Sequence, residues 1–168
     1  MKYSGIAASP GIAIGVVYRW ESEDLKVRDG IVPEDAVDHE IARFRGALES
    51  ARQDLIKIRD GIAAELGERE AQIYEAHIMM LDDPELTRTV EDGIRTGRRY
   101  PGFVFRNVMA GVAARLDKID DEYLRERRAD VLDVERRVLR YLVGDGPRSL
   151  AGLPGPVVIV AHDLGPSE

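Results

Sequence analysis

Cysteine is absent from all 168 residues. That excludes a disulfide framework, a thiol nucleophile and Cys-ligated zinc, and it fits a reducing cytoplasm. A basic excess is missing too. Twenty-four Lys and Arg against 31 Asp and Glu give a formal net charge of −7, whereas a nucleic-acid binder needs a concentrated basic face to neutralise phosphates. A basic partner therefore suits the chain better than a nucleic acid. No apolar run is long enough to span a membrane. The opening MKYSGIAASPGIAIGVV imitates a signal peptide, but Pro10 and the glycines break its apolar stretch, and Tyr18-Arg19-Trp20 stands where a small-residue cleavage site belongs. Phosphate-cradling loops are lacking: there is no GxxxxGK[ST], and GIAIG does not have the GxGxxG spacing. The three histidines are His39, His77 and His162. A di-iron bundle needs Glu-x-x-His pairs, yet Tyr74 precedes His77 by three and Ala36 precedes His39 by three. No catalytic residue and no metal ligand is assigned.

What remains is an ordinary globular composition, 44% hydrophobic and 33% charged, enough for one domain and a fraction of another. Residues 12 to 18, IAIGVVY, are β-branched and aromatic behind the breaker Ser9-Pro10-Gly11, which predicts a strand. VVIV at 157 to 160 predicts a second, and its unbroken apolar character suits a strand covered on both faces. Between them Val37, Ile41, Phe44, Leu48, Ala51, Leu55, Ile58 and Ile62 keep a 4,3,4,3 spacing, the seam of a long coiled-coil-like helix opened by Pro33-Glu34-Asp35 and stopped by Gly67. Further helices are expected over 68 to 82, from Asp83-Pro84 to Gly97, over 102 to 118 and over 120 to 143. The fold class is mainly α: a bundle of four to five helices inserted into an incomplete α/β domain represented by the terminal strands. The expected parts are 1–20 (first strands), 21–32 (linker), 33–144 (helical domain), 145–156 (linker) and 157–168 (return into the α/β domain). The end, Pro166-Ser167-Glu168, has residues that open helices, and two lone strands make no stable sheet, so the chain reads as a fragment whose bundle can fold alone.

The stretch EAHIMMLDDPEL, 75 to 86, carries the most information. On a helical wheel centred on Ile73, the residues His77, Leu81, Tyr74 and Ile78 follow one another to one side, while Met80 and then Ala76 lie to the other. The apolar arc is about 200° wide, twice the roughly 100° a surface helix needs. Either this helix is buried on most sides, or part of the arc is an exposed patch for a partner. Nine Asp or Glu and two Arg between Glu65 and Asp92 form an acidic rim around it, and methionine suits adaptable binding surfaces. A histidine on such a face is ordinarily structural. DDEYLRERRADVLDVERR, 120 to 137, reads as an amphipathic helix whose charge run is a solvated face, with Leu124 and Arg127 close together on one side.

SPGIAIG, EAHIMMLDDPEL and DDEYLRERRADV, in this order and at these separations, resemble enzyme I of the bacterial phosphoenolpyruvate:sugar phosphotransferase system, across essentially the whole chain. The resemblance implies a helical domain, inserted into a swivelling α/β domain, that docks the small phosphocarrier HPr. It gives the docking surface to Glu68, His77, Met79, Met80, Glu85 and Leu86, with Leu124 and Arg127 from the last helix. His77 would be a contact residue; the phospho-accepting histidine of the family lies in a Gly-rich Ser-His motif downstream of Glu168. The resemblance further implies a cytoplasmic enzyme for sugar uptake, a homodimer through a C-terminal domain that also binds phosphoenolpyruvate and magnesium. This chain would need no cofactor of its own and would be inactive in isolation. A free-standing helical adaptor or regulatory interaction module is the alternative reading.

Overall fold

In the computed structural model, residues 9–20, 25–144, 150, 153 and 155–161 are described, with the backbone alone for 122–126. The chain divides into two compact units, one made of Met1–Glu23 with Leu150–Leu164 and the other essentially Asp24–Ser149. In the first unit, β1 (Val16–Trp20) pairs in parallel with β2 (Val157–Ala161), Val16 opposite Val157 and Trp20 opposite Ala161. The ladder starts at Val16, later than the sequence predicts. Ile12 and Ile14 are almost wholly exposed, because β2 begins only after Gly155-Pro156 and gives them nothing to pair with. β2 is half-buried instead of covered on both faces: among the described residues the sheet has two strands, and Val160 stays 51% exposed.

The second unit is the bundle. A 3-10 turn at Glu34–Ala36 leads into α1 (Val37–Glu65), followed by α2 (Glu68–Leu81), α3 (Pro84–Gly97), α4 (Pro101–Leu116) and α5 (Glu122–Val143). Helix ends sit where local chemistry puts them. Gly67 and Gly144 adopt positive φ, 112° and 89°, and so turn the chain where a side chain would strain it. Asp83 caps α3 by accepting the Glu85 N–H at 2.8 Å, with Pro84 in the first turn. After α3 the left-handed residue is Arg98, not the neighbouring Gly97; its carbonyl accepts the Val32 N–H at 2.6 Å and Arg99 bridges to Ile31. Of the predicted seam on α1, Ile41, Phe44, Leu48, Ala51 and Leu55 are buried while both ends are half-buried. α5 packs on α1, α2 and α4, and Phe44 meets Phe105 of α4 at 5.7 Å between ring centroids.

α5 corrects one expectation. Its charge run is not a solvated face: Asp130, Asp133, Glu135 and Arg137 are all buried. The helix is central in the bundle, so its polar residues are covered by neighbours and must find partners there. Arg106 of α4 faces Glu135 at 3.5 Å, Arg137 faces Asp54 of α1 at 3.7 Å, and the Tyr141 hydroxyl donates to the same Asp54. Burial raises the Glu135 pKa against the opposing pull of Arg106.

Candidate functional site

α2 resolves the wide apolar arc into two parts. Ala71, Tyr74, His77, Ile78 and Leu81 are buried, spanning about 120° of the helix surface, the width of one core face. Ile73, Ala76 and Met80 are half-buried along one edge of that face, and Met79 is 69% exposed. On the same helical wheel Glu75, Glu68, Met79 and Gln72 cluster on the side away from the buried face, and all four are exposed. Glu68 and Met79 thus share one outer strip, about 16 Å apart along the axis.

Both flanks of the strip are marked by α2's neighbours. On one side Arg59 of α1 donates to Glu75 at 3.0 Å, and a cleft of about 370 Å³ between α1 and α2 is lined by Arg59, Glu68 and Glu75. On the other side lies α5, which His77 faces. The imidazole is fully buried, with Nε2 3.5 Å from Asp130 and Nδ1 3.7 Å from Asp133, and the Tyr74 ring stands edge-on to it at 6.2 Å. Burial, and next the negative charge of Asp133, raise the Tyr74 pKa. Arg127 completes the row by donating to Asp130 at 2.9 Å.

The sequence-predicted residues therefore separate. Glu68, Met79 and Glu85 are exposed; Met80, Leu86 and Arg127 are half-buried at the surface. His77 is on the opposite side of α2 from Met79, beneath the α2–α5 seam, so any part it has in docking passes through the residues it touches. The Leu124 side chain lies outside the described residues. Asp130 and Asp133 went unassigned in the sequence, although their i, i+3 spacing places both on one face of α5. The acidic rim is also partly countered from within. Arg52 of α1 binds Asp82 at 2.7 Å, Arg45 binds Glu91 through two bonds of 2.6 and 2.8 Å, and Arg88 binds Glu85 at 2.6 Å. The Arg45 bonds hold the Glu91 carboxyl below its ordinary pKa. The Arg52–Asp82 and Arg88–Glu85 pairs lie at the surface and contribute little stability, whereas Glu91 is buried beneath the more exposed Arg45. Among the described residues no three His, Asp or Glu side chains converge as a metal site requires, and no helix is long and apolar enough to cross a membrane.

Comparison with known proteins places this geometry. The family described as PEP-utilising enzyme, N-terminal, matches residues 4–127. The phosphoenolpyruvate-protein phosphotransferase of Listeria monocytogenes is 40% identical over 167 residues, covering 99% of this chain and 29% of that protein. Its counterpart from Priestia megaterium is 39% identical with the same coverage. The chain thus spans less than a third of the length of these curated relatives. The NMR solution structure of an Enzyme I protein aligns with a TM-score of 0.82 at 37% identity, over 97% of this chain and 66% of that one. A second structure, the N-terminal domain of Enzyme 1 - Nitrogen, shares the fold with a TM-score of 0.73 at 23% identity, over 95% of this chain and 65% of that one. The chain belongs to the PEP-utilising enzyme N-terminal family, as the N-terminal region of an enzyme I.

Proposed function

We propose that this chain is the docking part of an enzyme I, holding an HPr-like phosphocarrier while the complete, cytoplasmic enzyme passes a phosphoryl group from phosphoenolpyruvate to that carrier for sugar uptake. The observation that carries the reading is the outer strip of α2. Met79 is exposed, Ala76, Met80 and Ile73 are half-buried towards the α5 side, Glu68 and Glu75 share its strip, and Glu85 is exposed in the first turn of α3. An apolar centre with a charged rim is interface anatomy, and the acidic rim suits a basic partner. Leu86, half-buried past the Asp83–Pro84 corner, would add apolar surface, and the half-buried Arg127 would add one cation on the α5 side. The chain's contribution is positioning: it presents a carrier histidine in line with a phosphohistidine supplied by the rest of the enzyme. Domain limits at 21–32 and 145–156 follow from the same reading.

The test is a titration of isotope-labelled HPr-like carrier with this chain. Selective shifts around the carrier's phosphorylatable histidine are expected, reduced by reversing the rim charges in Glu68→Lys, Glu85→Lys. A carrier spectrum unchanged at millimolar chain removes the docking function.

A further inference from the structure

Asp130 touches two groups on two elements. One carboxylate oxygen accepts from the Arg127 guanidinium at 2.9 Å, and the other lies 3.5 Å from Nε2 of His77. The carboxylate is nearly buried, His77 is wholly buried, and the Arg127 side chain is one-third exposed. A row of side chains thus runs from the α2–α5 core to the surface. We infer that Asp130 is a positioning residue for the docking surface, holding the Arg127 guanidinium in a fixed orientation while His77 braces the carboxylate from behind. The inference rests on the docking function proposed above.

Three physical points support it. An i, i+3 pair on an open helix surface is weak and its long side chains wander. Here the acid is enclosed, so its oxygens have few directions to take. Secondly, arginine has many rotamers that association must freeze, and a guanidinium already held by a fixed carboxylate forfeits less on binding. Thirdly, neither ring nitrogen of His77 has a hydrogen-bond partner among the described residues, and each faces a carboxylate at slightly more than bonding distance. Buried polar groups without a bond call for an explanation. As a plate between Asp130 and Asp133, the ring limits how far Asp130 can turn from Arg127.

Asp130→Asn keeps the shape and removes the charge. In the free chain, the Arg127 Nη1–H resonances are expected to lose their protection from solvent exchange. Carrier affinity is expected to fall roughly two- to tenfold, the factor for ordering one rotamer-rich side chain. The double variant Arg127→Ala, Asp130→Asn should bind no worse than Arg127→Ala alone. Losses that multiply, or an Asp130→Asn chain that binds like the wild type, overturn the inference. Should Asp130→Asn not fold, Arg127→Ala decides, because it truncates a partly exposed side chain: the His77 ring-nitrogen resonances shift if the two are coupled through Asp130 and stay in place if they are not. Absence of carrier binding by the wild-type chain defeats the docking function alone; the Arg127 and His77 resonances of the free chain still judge the positioning.

Discussion

Ile78 and Met79 are neighbours in sequence with opposite surroundings, 5% and 69% exposed. Substituting each by alanine separates the two jobs of α2. Ile78→Ala removes core atoms packed in the bundle, which costs about 2–5 kcal/mol. For a chain of this size each kcal/mol lowers Tm by about 2–4 °C, so the fall is roughly 4–20 °C. Met79→Ala leaves the core untouched and changes stability by less than about 0.5 kcal/mol, a Tm shift of at most about 2 °C. Binding follows the reverse order. Covering a methionine is worth about 1.5–3 kcal/mol, and with two-thirds of this side chain available the loss on truncation is about 1–2 kcal/mol, or roughly five- to thirtyfold in Kd. Thermal melting by circular dichroism and calorimetric titration with an HPr-like carrier give the two quantities on the same samples. A Met79→Ala chain that melts as low as Ile78→Ala, or one that binds as tightly as the wild type while folded Ile78→Ala does not, would refute this division of the helix.

Other outcomes follow from single contacts. Burial, reinforced by the bond to Asp54 and its charge, pushes the Tyr141 hydroxyl from 10.0 up to about 12. The folded state therefore favours the protonated form: this stabilisation is complete below about pH 10 and disappears as pH rises through about 12. Tyr141→Phe should flatten that alkaline limb in denaturant titrations at stepped pH. Gly93→Ala places a methyl 2.6 Å from Val104 and should cost about 1–3 kcal/mol, whereas Gly61→Ala, in an α1 position with nothing within 4 Å, should gain roughly 0.5–1 kcal/mol; urea midpoints distinguish them. Asp83→Ala removes the cap of α3 and should cost about 1 kcal/mol, read as a Tm fall of about 2–4 °C.

The helices were legible because their ends are local events: Pro33, Gly67, Asp83-Pro84 and Gly144 act on their immediate neighbours, and their effect survives without knowledge of the fold. The α1 seam was legible for a related reason, since periodicity alone chooses the face. Strand β1 was placed too early because a ladder is defined by its partner, and β2 begins only at Val157. The burial of Asp130, Asp133, Glu135 and Arg137 was illegible because a charged helix with its own i, i+4 pairs looks the same whether three helices cover it or none. The α2 residues show both limits together. Their spacing revealed an arc too wide for one core face. Which edge of that arc stays open depended on where α1 and α5 lie, and this put His77 at the bottom of a seam and Met79 on the outside.

The parallel pairing of β1 with β2 also has a consequence for the order of folding. Among the described residues the two strands adjoin with all five helices between them in sequence, so their contact spans a long stretch of chain and is entropically slow to close. Once the bundle has formed, that long flexible loop shrinks to the short segments on either side of it. On the ribosome β1 emerges ahead of the five helices and of β2, so its pairing with β2 waits until both have appeared. The isoleucines at 12 and 14 and the valines of β1 are exposed throughout that wait, which makes this strand a segment in need of protection from aggregation.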